Sequence, residues 1–251
     1  MDLTGKFYDR ITPAYKYIYT DWEKSLDTQA DALDSIIRRN FGGRVKSILD
    51  ASCGIGTQLI GLAKRRYVMT GSDISGKEIA VAKKELKKRN LKADLRVADF
   101  RDLGAVFTEN FDLIISCDNS IPHCLSDAEI LKALKSIFSK TRNGALITIR
   151  DYDTVDRNKV HMIPYGYRTI GGVKTFLFQR WEFEGELYTV SFFFLKESRD
   201  VPASGVGGKV YKTRYYAVTT AKMQDLMKQA GFRNVQCLKR EFYQPVLLGR
   251  K

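Results

Sequence analysis

A chain of 251 residues with 44% hydrophobic content can bury a full core, as one large α/β domain or one domain carrying an insertion. Its longest apolar runs, Asp112–Cys117 and Val190–Leu195, are far too short to span a bilayer, and the opening MDLTGKFYDR lacks the apolar core of a signal peptide. The formal charge of +13 permits binding to nucleic acid or an acidic membrane surface without requiring it.

The densest basic run, KKELKKRN (Lys83–Asn90), follows Ile79, Ala82 and Leu86 on one helical face. The pairs Lys83/Lys87 and Lys84/Lys88 then fall on the outer face, so a solvated helix surface is favoured over a polyanion footprint. Cys53, Cys117, Cys124 and Cys237 show no paired spacing, and reduced thiols in a cytoplasmic protein are expected. A site built from Cys117, His123 and Cys124 would lack any CxxC pair, so no metal is expected.

In chain order, residues 7–40 read as helical, with Asp31, Ala32, Leu33, Ile36 and Ile37 leading into a first strand. Strand-like runs follow at Lys46–Asp50, Tyr67–Asp73, Leu95–Asp99, Phe111–Cys117 and Ala145–Arg150. Helical segments at Gln58–Lys64, Gly76–Arg89 and Asp127–Lys140 alternate with them, which predicts βαβ units on a doubly wound parallel sheet with right-handed crossovers. After Arg150 the chain turns aromatic and β-branched. VKTFLFQRWEFEGELYTVSFFFLKE predicts two strands turning at EGEL, and Gly208–Val218 a third antiparallel strand, with Gly171–Gly172 and PASGVGG as punctuation. Thr219–Ala230 then reads as a capped helix stopping at Gly231, before closing strands at Val235–Leu238 and Val246–Gly249. Residues 1–150 with 219–251 are thus expected to form the α/β body, and 151–218 a β-rich insertion.

Ligands bind beyond the carboxyl ends of strands in such sheets. The first predicted strand ends in Asp50, followed by Ala51, Ser52, Cys53, Gly54, Ile55 and Gly56; the two glycines allow close backbone approach. The second ends in Asp73, placed to take both hydroxyls of a ribose. The third ends in Asp99-Phe100, an acceptor and a ring suited to adenine. Each alone is also explained by a turn or a helix cap. In order at successive strand ends they describe a pocket for an adenosyl compound. A dinucleotide would need G-x-G-x-x-G, but after Gly54 and Gly56 the third glycine position holds Leu59.

LDASCGIGTQ, GSDIS and VADFRDL resemble, in order and spacing, the cofactor motifs of class I S-adenosylmethionine-dependent methyltransferases, and the resemblance covers almost the whole chain. It implies a Rossmann-like seven-stranded sheet with an antiparallel β insertion after the fifth strand, and S-adenosylmethionine as cofactor with S-adenosylhomocysteine as product. Asp73 would lie by the ribose, Asp99 and Phe100 by the adenine, and Asp50, Ser52, Cys53, Gly54, Gly56, Ile74 and Cys117 elsewhere along the cofactor. SCDNSIPHCLSD followed by TIRDYD is similar to glycine and glycine/sarcosine N-methyltransferases. That likeness implies a substrate carboxylate held by Asn119 and Arg150, His123 against the cofactor, and an N-terminal segment, with Tyr8 and Trp22, closing over the site.

An arginine at a strand end can itself clamp a carboxylate in a bidentate fork, although an ion pair with Asp151 and Asp153 is the alternative. Asn119 could instead satisfy backbone groups in a turn, His123 could be a turn or core histidine, and Asp118 could either offset the charge of the cationic reactants or cap the helix near Ser126. The expected reaction is methyl transfer to the amine of a small amino acid. RNA, or another small molecule, approached through the basic surface is the alternative acceptor.

Overall fold

Ile48 and Leu49 are adjacent and fully buried, yet they enter different hydrophobic cores, as expected of a strand covered on both faces. The computed structural model describes residues 3–196 and 207–251. Two helices, α1 (Leu3–Tyr15) and α2 (Trp22–Phe41), precede β1 (Ser47–Asp50), α3 (Thr57–Lys64), β2 (Val68–Asp73), α4 (Gly76–Lys88) and β3 (Asp94–Val97). Then come β4 (Phe111–Ser116), α5 (Asp127–Lys140) and β5 (Thr141–Thr148). A run of strands follows: β6 (His161–Ile170), β7 (Val173–Glu184), β8 (Leu187–Lys196) and β9 (Gly207–Tyr216). The chain finishes with α6 (Thr220–Gln229), β10 (Arg233–Leu238) and β11 (Val246–Arg250).

The main sheet has seven strands in the order β10-β11-β5-β4-β1-β2-β3, parallel except that β11 runs antiparallel to both its neighbours. On one face α2, α3 and α4 pack Leu33, Ile37, Leu59, Ile79 and Leu86 against Ile48, Leu113 and Ile115. On the other, α5 and α6 pack Leu134, Ile137, Met223 and Leu226 against Leu49, Ile114 and Ile147. The α4 lysines 83, 84, 87 and 88 stand exposed, away from the buried Ile79, Ala82 and Leu86. No described helix is long and apolar enough to cross a membrane.

The other sheet is antiparallel, in the order β6-β7-β8-β9. Its hairpins turn on Gly171–Gly172, both at positive φ, and on Gly185 at φ +64°, the backbone that two-residue turns demand. Three strands were expected, and β6 is the fourth. Pro164 and Gly166 hide it in the sequence, yet an edge strand tolerates both at a register break. Most of PASGVGG lies outside the described residues. Phe7 and Ile11 of α1 close a third core with Leu177, Val190 and Phe192 of this sheet.

Other boundaries shift in ways that matter. Residues 7–40 are not one helix: α1 gives way to a 3-10 turn over Lys16–Ile18, and α2 begins afresh with Asp21 accepting from Lys24 N as its cap. β3 stops at Val97 and β5 at Thr148, so Asp99 and Arg150 stand two residues beyond their strands, on loops rather than on ladder positions.

Candidate active site

The sheet order reverses between β1 and β4, and the crevice at that switch point is where a doubly wound sheet presents its ligand site. A cavity partly open to solvent lies there. Ser52, Cys53, Gly54 and Ile55 after β1, Asp73 and Ile74 after β2, Asp99 and Phe100 after β3, and Asp118 and His123 after β4 all line it. Tyr8, Tyr15 and Tyr19 from the N-terminal segment form its roof.

Asp73 organises the floor. Its Oδ2 accepts from Gly54 N and its Oδ1 from Ser75 N, each at 2.9 Å, which ties the glycine loop to the start of α4. Gly54 at φ +51° and Gly56 at φ +95° carry the turn into α3. Burial pushes Asp73 up to about 6, against the opposing pull of backbone N–H groups from Ser75, Gly54 and Ile74. Asp50, behind the loop and fully buried, is pushed up to about 7 by desolvation, and its Oδ2 has no partner. Cys53 and Cys117 are buried thiols raised by desolvation, unsuited to act as nucleophiles.

Asp118 and Asn119 hold positive φ values of 59° and 65° in succession, a conformation that short polar side chains bear best. Thr148 fixes this turn by accepting Asp118 N at its hydroxyl and Asn119 N at its carbonyl. The Asp118 carboxylate accepts from three phenols: Tyr15 at 3.3 Å, Tyr19 at 3.2 Å and Tyr243 at 3.0 Å. It therefore draws the roof, the β4 turn and the C-terminal loop together. Ser126 caps α5 with its own hydroxyl, accepting from Glu129 N, so Asp118 is not that cap.

Beyond Asp118 lies an aromatic cluster around Arg150. Its guanidinium stacks 4.6 Å from the Trp181 ring and 5.0 Å from that of Tyr215, and Nη1 donates to Tyr188 Oη at 2.6 Å. Asp151 and Asp153 pair instead with Lys239, so the ion pair open to Arg150 in the sequence is not formed. Asn119 Oδ1 accepts from Arg150 N at 3.0 Å and Tyr152 Oη at 2.9 Å, which leaves its buried Nδ2 without an acceptor. The backbone and side-chain oxygen of Asn119 thus serve the turn, as expected of an asparagine at this position. His123 Nδ1 faces the Arg214 carbonyl at 3.1 Å, which can only accept, so this nitrogen carries a proton. Its Nε2 lies 2.9 Å from Tyr8 Oη.

Not every expected residue reaches the cavity. Trp22 packs behind it and donates from Nε1 to Thr57 Oγ1 at 2.9 Å, so it acts on the lining through Thr57. Asp50, Gly56 and Cys117 likewise support the lining rather than form it. Asp99 stands at the rim, and Arg101 donates to both of its oxygens. Tyr15, Tyr19, Glu78 and Arg101 line the cavity without having been anticipated. Tyr8 and Tyr15, seven apart, share a face of α1, while Tyr19 joins the roof from beyond the 3-10 turn.

Asp73 and Glu78 line the cavity while less than a tenth exposed, and Glu78 Oε1 lacks a partner. Such a chamber fits a cationic ligand better than a neutral or phosphorylated one.

Residues 48–144 match a methyltransferase domain family. Glycine/sarcosine N-methyltransferase of Parasynechococcus marenigrum (strain WH8102) is 26% identical over 151 residues, 58% of this chain and 54% of that protein. The chain thus spans about half the length of that relative. The solved structure of an S-adenosylmethionine-dependent methyltransferase from Clostridium acetobutylicum superposes with a TM-score of 0.72 at 15% identity, covering 99% of both chains. That of CalS10, an amino pentose methyltransferase from Micromonospora echinaspora solved with S-adenosylmethionine bound, gives 0.76 at 16% identity over 95% of each. Residues 48–144 thus match a methyltransferase domain, and the strand order is that of a Rossmann-like methyltransferase fold.

Proposed function

We propose that the protein methylates the amine of a small amino acid, of which glycine and sarcosine are the type, with S-adenosylmethionine as methyl donor. One observation carries the acceptor assignment. The Arg150 guanidinium has no carboxylate partner among the described residues, and the buried Asn119 Nδ2 beside it has no acceptor. A cation and an orphan donor joined through Tyr152 and Tyr188 make a site for a carboxylate. The name of the Parasynechococcus relative, a glycine/sarcosine N-methyltransferase, supports the same class of acceptor.

The cofactor supplies an electrophilic methyl on a sulfonium. Asp73 would hold the ribose, Ile74 and Phe100 the adenine, and the Ser52–Gly54 backbone the methionine arm. Arg150 and Asn119 would fix the acceptor's carboxylate so that its neutral nitrogen points at the methyl, which makes positioning the main source of rate. The phenols over Asp118 would close the chamber to water, and Asp118 would offset the positive charge of the reacting groups. Residues 1–150 with 219–251 would carry the cofactor. Residues 151–218 would supply the acceptor's side through Tyr152, Trp181, Tyr188 and Tyr215.

The test is methyl transfer from labelled S-adenosylmethionine to parallel pools: glycine, sarcosine and dimethylglycine; other small amines; and total RNA. Label in the amino-acid pool, abolished by Arg150→Ala, is the expected result. Label in RNA alone would overturn the reading and give the +13 charge the central role.

A further inference from the structure

Ser75-Gly76-Lys77-Glu78 opens α4 with the Ser-x-x-Glu pattern of a capping box, in which the serine takes the glutamate's N–H and the glutamate takes the serine's. Only half of the box is built. Ser75 Oγ accepts from Glu78 N at 3.1 Å, but Ser75 N donates to Asp73 Oδ1 at 2.9 Å. The Glu78 carboxylate therefore has no cap to make.

It turns into the cavity instead. Glu78 is 1% exposed and lines the same chamber as Asp73, Asp118 and the tyrosine roof. Its Oε2 hangs over Gly54, where an added Cβ would sit 2.7 Å away, and its Oε1 has no hydrogen-bond partner. Asp73, Asp118 and Asp9 surround it with negative charge, while Thr12 is the polar neighbour on its α1 side. The cavity's one lining arginine, Arg101, is occupied by Asp99 and Glu129. A buried, half-unpartnered acid among other acids is unfavourable in the ligand-free protein, and a bound cation removes the conflict.

We infer that Glu78 is a cofactor-binding, specificity-determining residue. Its carboxylate faces the positive charge of the sulfonium, and it biases the site toward the cationic methyl donor over the product, whose thioether sulfur is neutral. The inference rests on the cofactor reading above and assigns to one residue the discrimination between the two forms.

Calorimetric titration of wild type, Glu78→Gln and Glu78→Leu with S-adenosylmethionine and with S-adenosylhomocysteine tests it without any acceptor. Glu78→Gln is expected to weaken S-adenosylmethionine about tenfold and to leave S-adenosylhomocysteine within about twofold. The ligand-free variant is expected to melt no lower than wild type, because it loses an unpartnered buried acid. Equal loss of both ligands would make Glu78 a ribose or scaffold contact and overturn the inference, as would no loss of either. Should Glu78→Gln not fold, Glu78→Leu, of similar volume and without polar atoms, carries the same comparison. Wild type binding neither ligand would overturn the cofactor reading itself, an outcome separate from a failure confined to Glu78.

Discussion

Replacing Arg150 separates a clamp from a scaffold. In the proposed complex the acceptor's carboxylate meets a guanidinium already held between Trp181 and Tyr215 and tied to Tyr188, so little side-chain entropy is lost on binding. Truncation to alanine would leave that carboxylate desolvated against aromatic rings with no counter-charge. Breaking one side of such a pair costs about 3–5 kcal/mol, roughly 10²–10³-fold or more in KM for the acceptor. Arg150→Lys keeps the charge but loses the fork, and with it one charge-assisted hydrogen bond of about 1.5–3 kcal/mol, so an intermediate rise of roughly ten- to a hundredfold is expected. Steady-state methyl transfer, with acceptor and cofactor varied separately, reads both constants. The cofactor's KM should stay near wild type, since Arg150 is not among the residues lining the cofactor cavity. A parallel rise in both constants, or an acceptor KM that ignores the lysine variant, would refute the reasoning and make Arg150 an internal prop for its tyrosines.

Asn119→Asp should fold, because Asn119 Oδ1 keeps its two donors, Arg150 N and Tyr152 Oη, and an aspartate tolerates the positive φ. It replaces the orphan Nδ2 with an acceptor facing the incoming carboxylate, so acceptor KM should rise at least as far as in Arg150→Lys; an unchanged KM would remove Asn119 from the site. Gly61→Ala would push a Cβ to 2.3 Å from the Leu26 carbonyl oxygen and 2.6 Å from Ala30 Cβ at the α2–α3 contact. A loss of about 1–3 kcal/mol follows, read as a Tm about 2–12 °C lower, and a Tm that rose would show that the helices can part freely. Asp50 and Asp73, raised from 3.8 to about 7 and about 6, hold protons in the folded state that the unfolded chain has released. Their stabilising contribution is complete below pH 4 and is lost as pH climbs through 6 and 7. A cationic ligand favours the ionised forms, so the S-adenosylmethionine-induced rise in Tm should grow between pH 5.5 and 7.5; a flat profile would mean that these acids do not feel the ligand.

The parts of the site that were legible in sequence are those where one residue type ends an apolar run. Asp50 and Asp73 close β1 and β2 because a strand buried on both faces has no other place for a carboxylate than its end. Asp99 was legible as an acid, while the Arg101 donors two residues on were not. Trp22 shared its reading with Tyr8, but the helix restart at Asp21 turns its indole toward Thr57 and away from the cavity. Glu78 was hidden by a local pattern that explains it too well: Ser-x-x-Glu is a complete account of a helix start until Asp73 takes the N–H that the box requires.

The Arg150 cluster could not be composed from local pattern, because its members come from sequence-distant strands. Tyr152 follows β5, Trp181 lies on β7, Tyr188 on β8 and Tyr215 on β9, and they meet only after the second sheet has paired. The pairing brings Tyr188 opposite Tyr215 on β9, with their rings stacked at 5.4 Å. Trp181 lies 5.6 Å from Tyr188, so one face of the sheet delivers a continuous aromatic wall to the end of β5. The αL pair Asp118–Asn119 faces that wall from β4. Its two side chains take opposite duties, the carboxylate gathering the roof phenols and the amide turning toward Arg150. An acidic half for a cation and a basic half for a carboxylate thus diverge from adjacent residues. That division is what a site joining a sulfonium methyl donor to a carboxylate-bearing amine would require of a single turn.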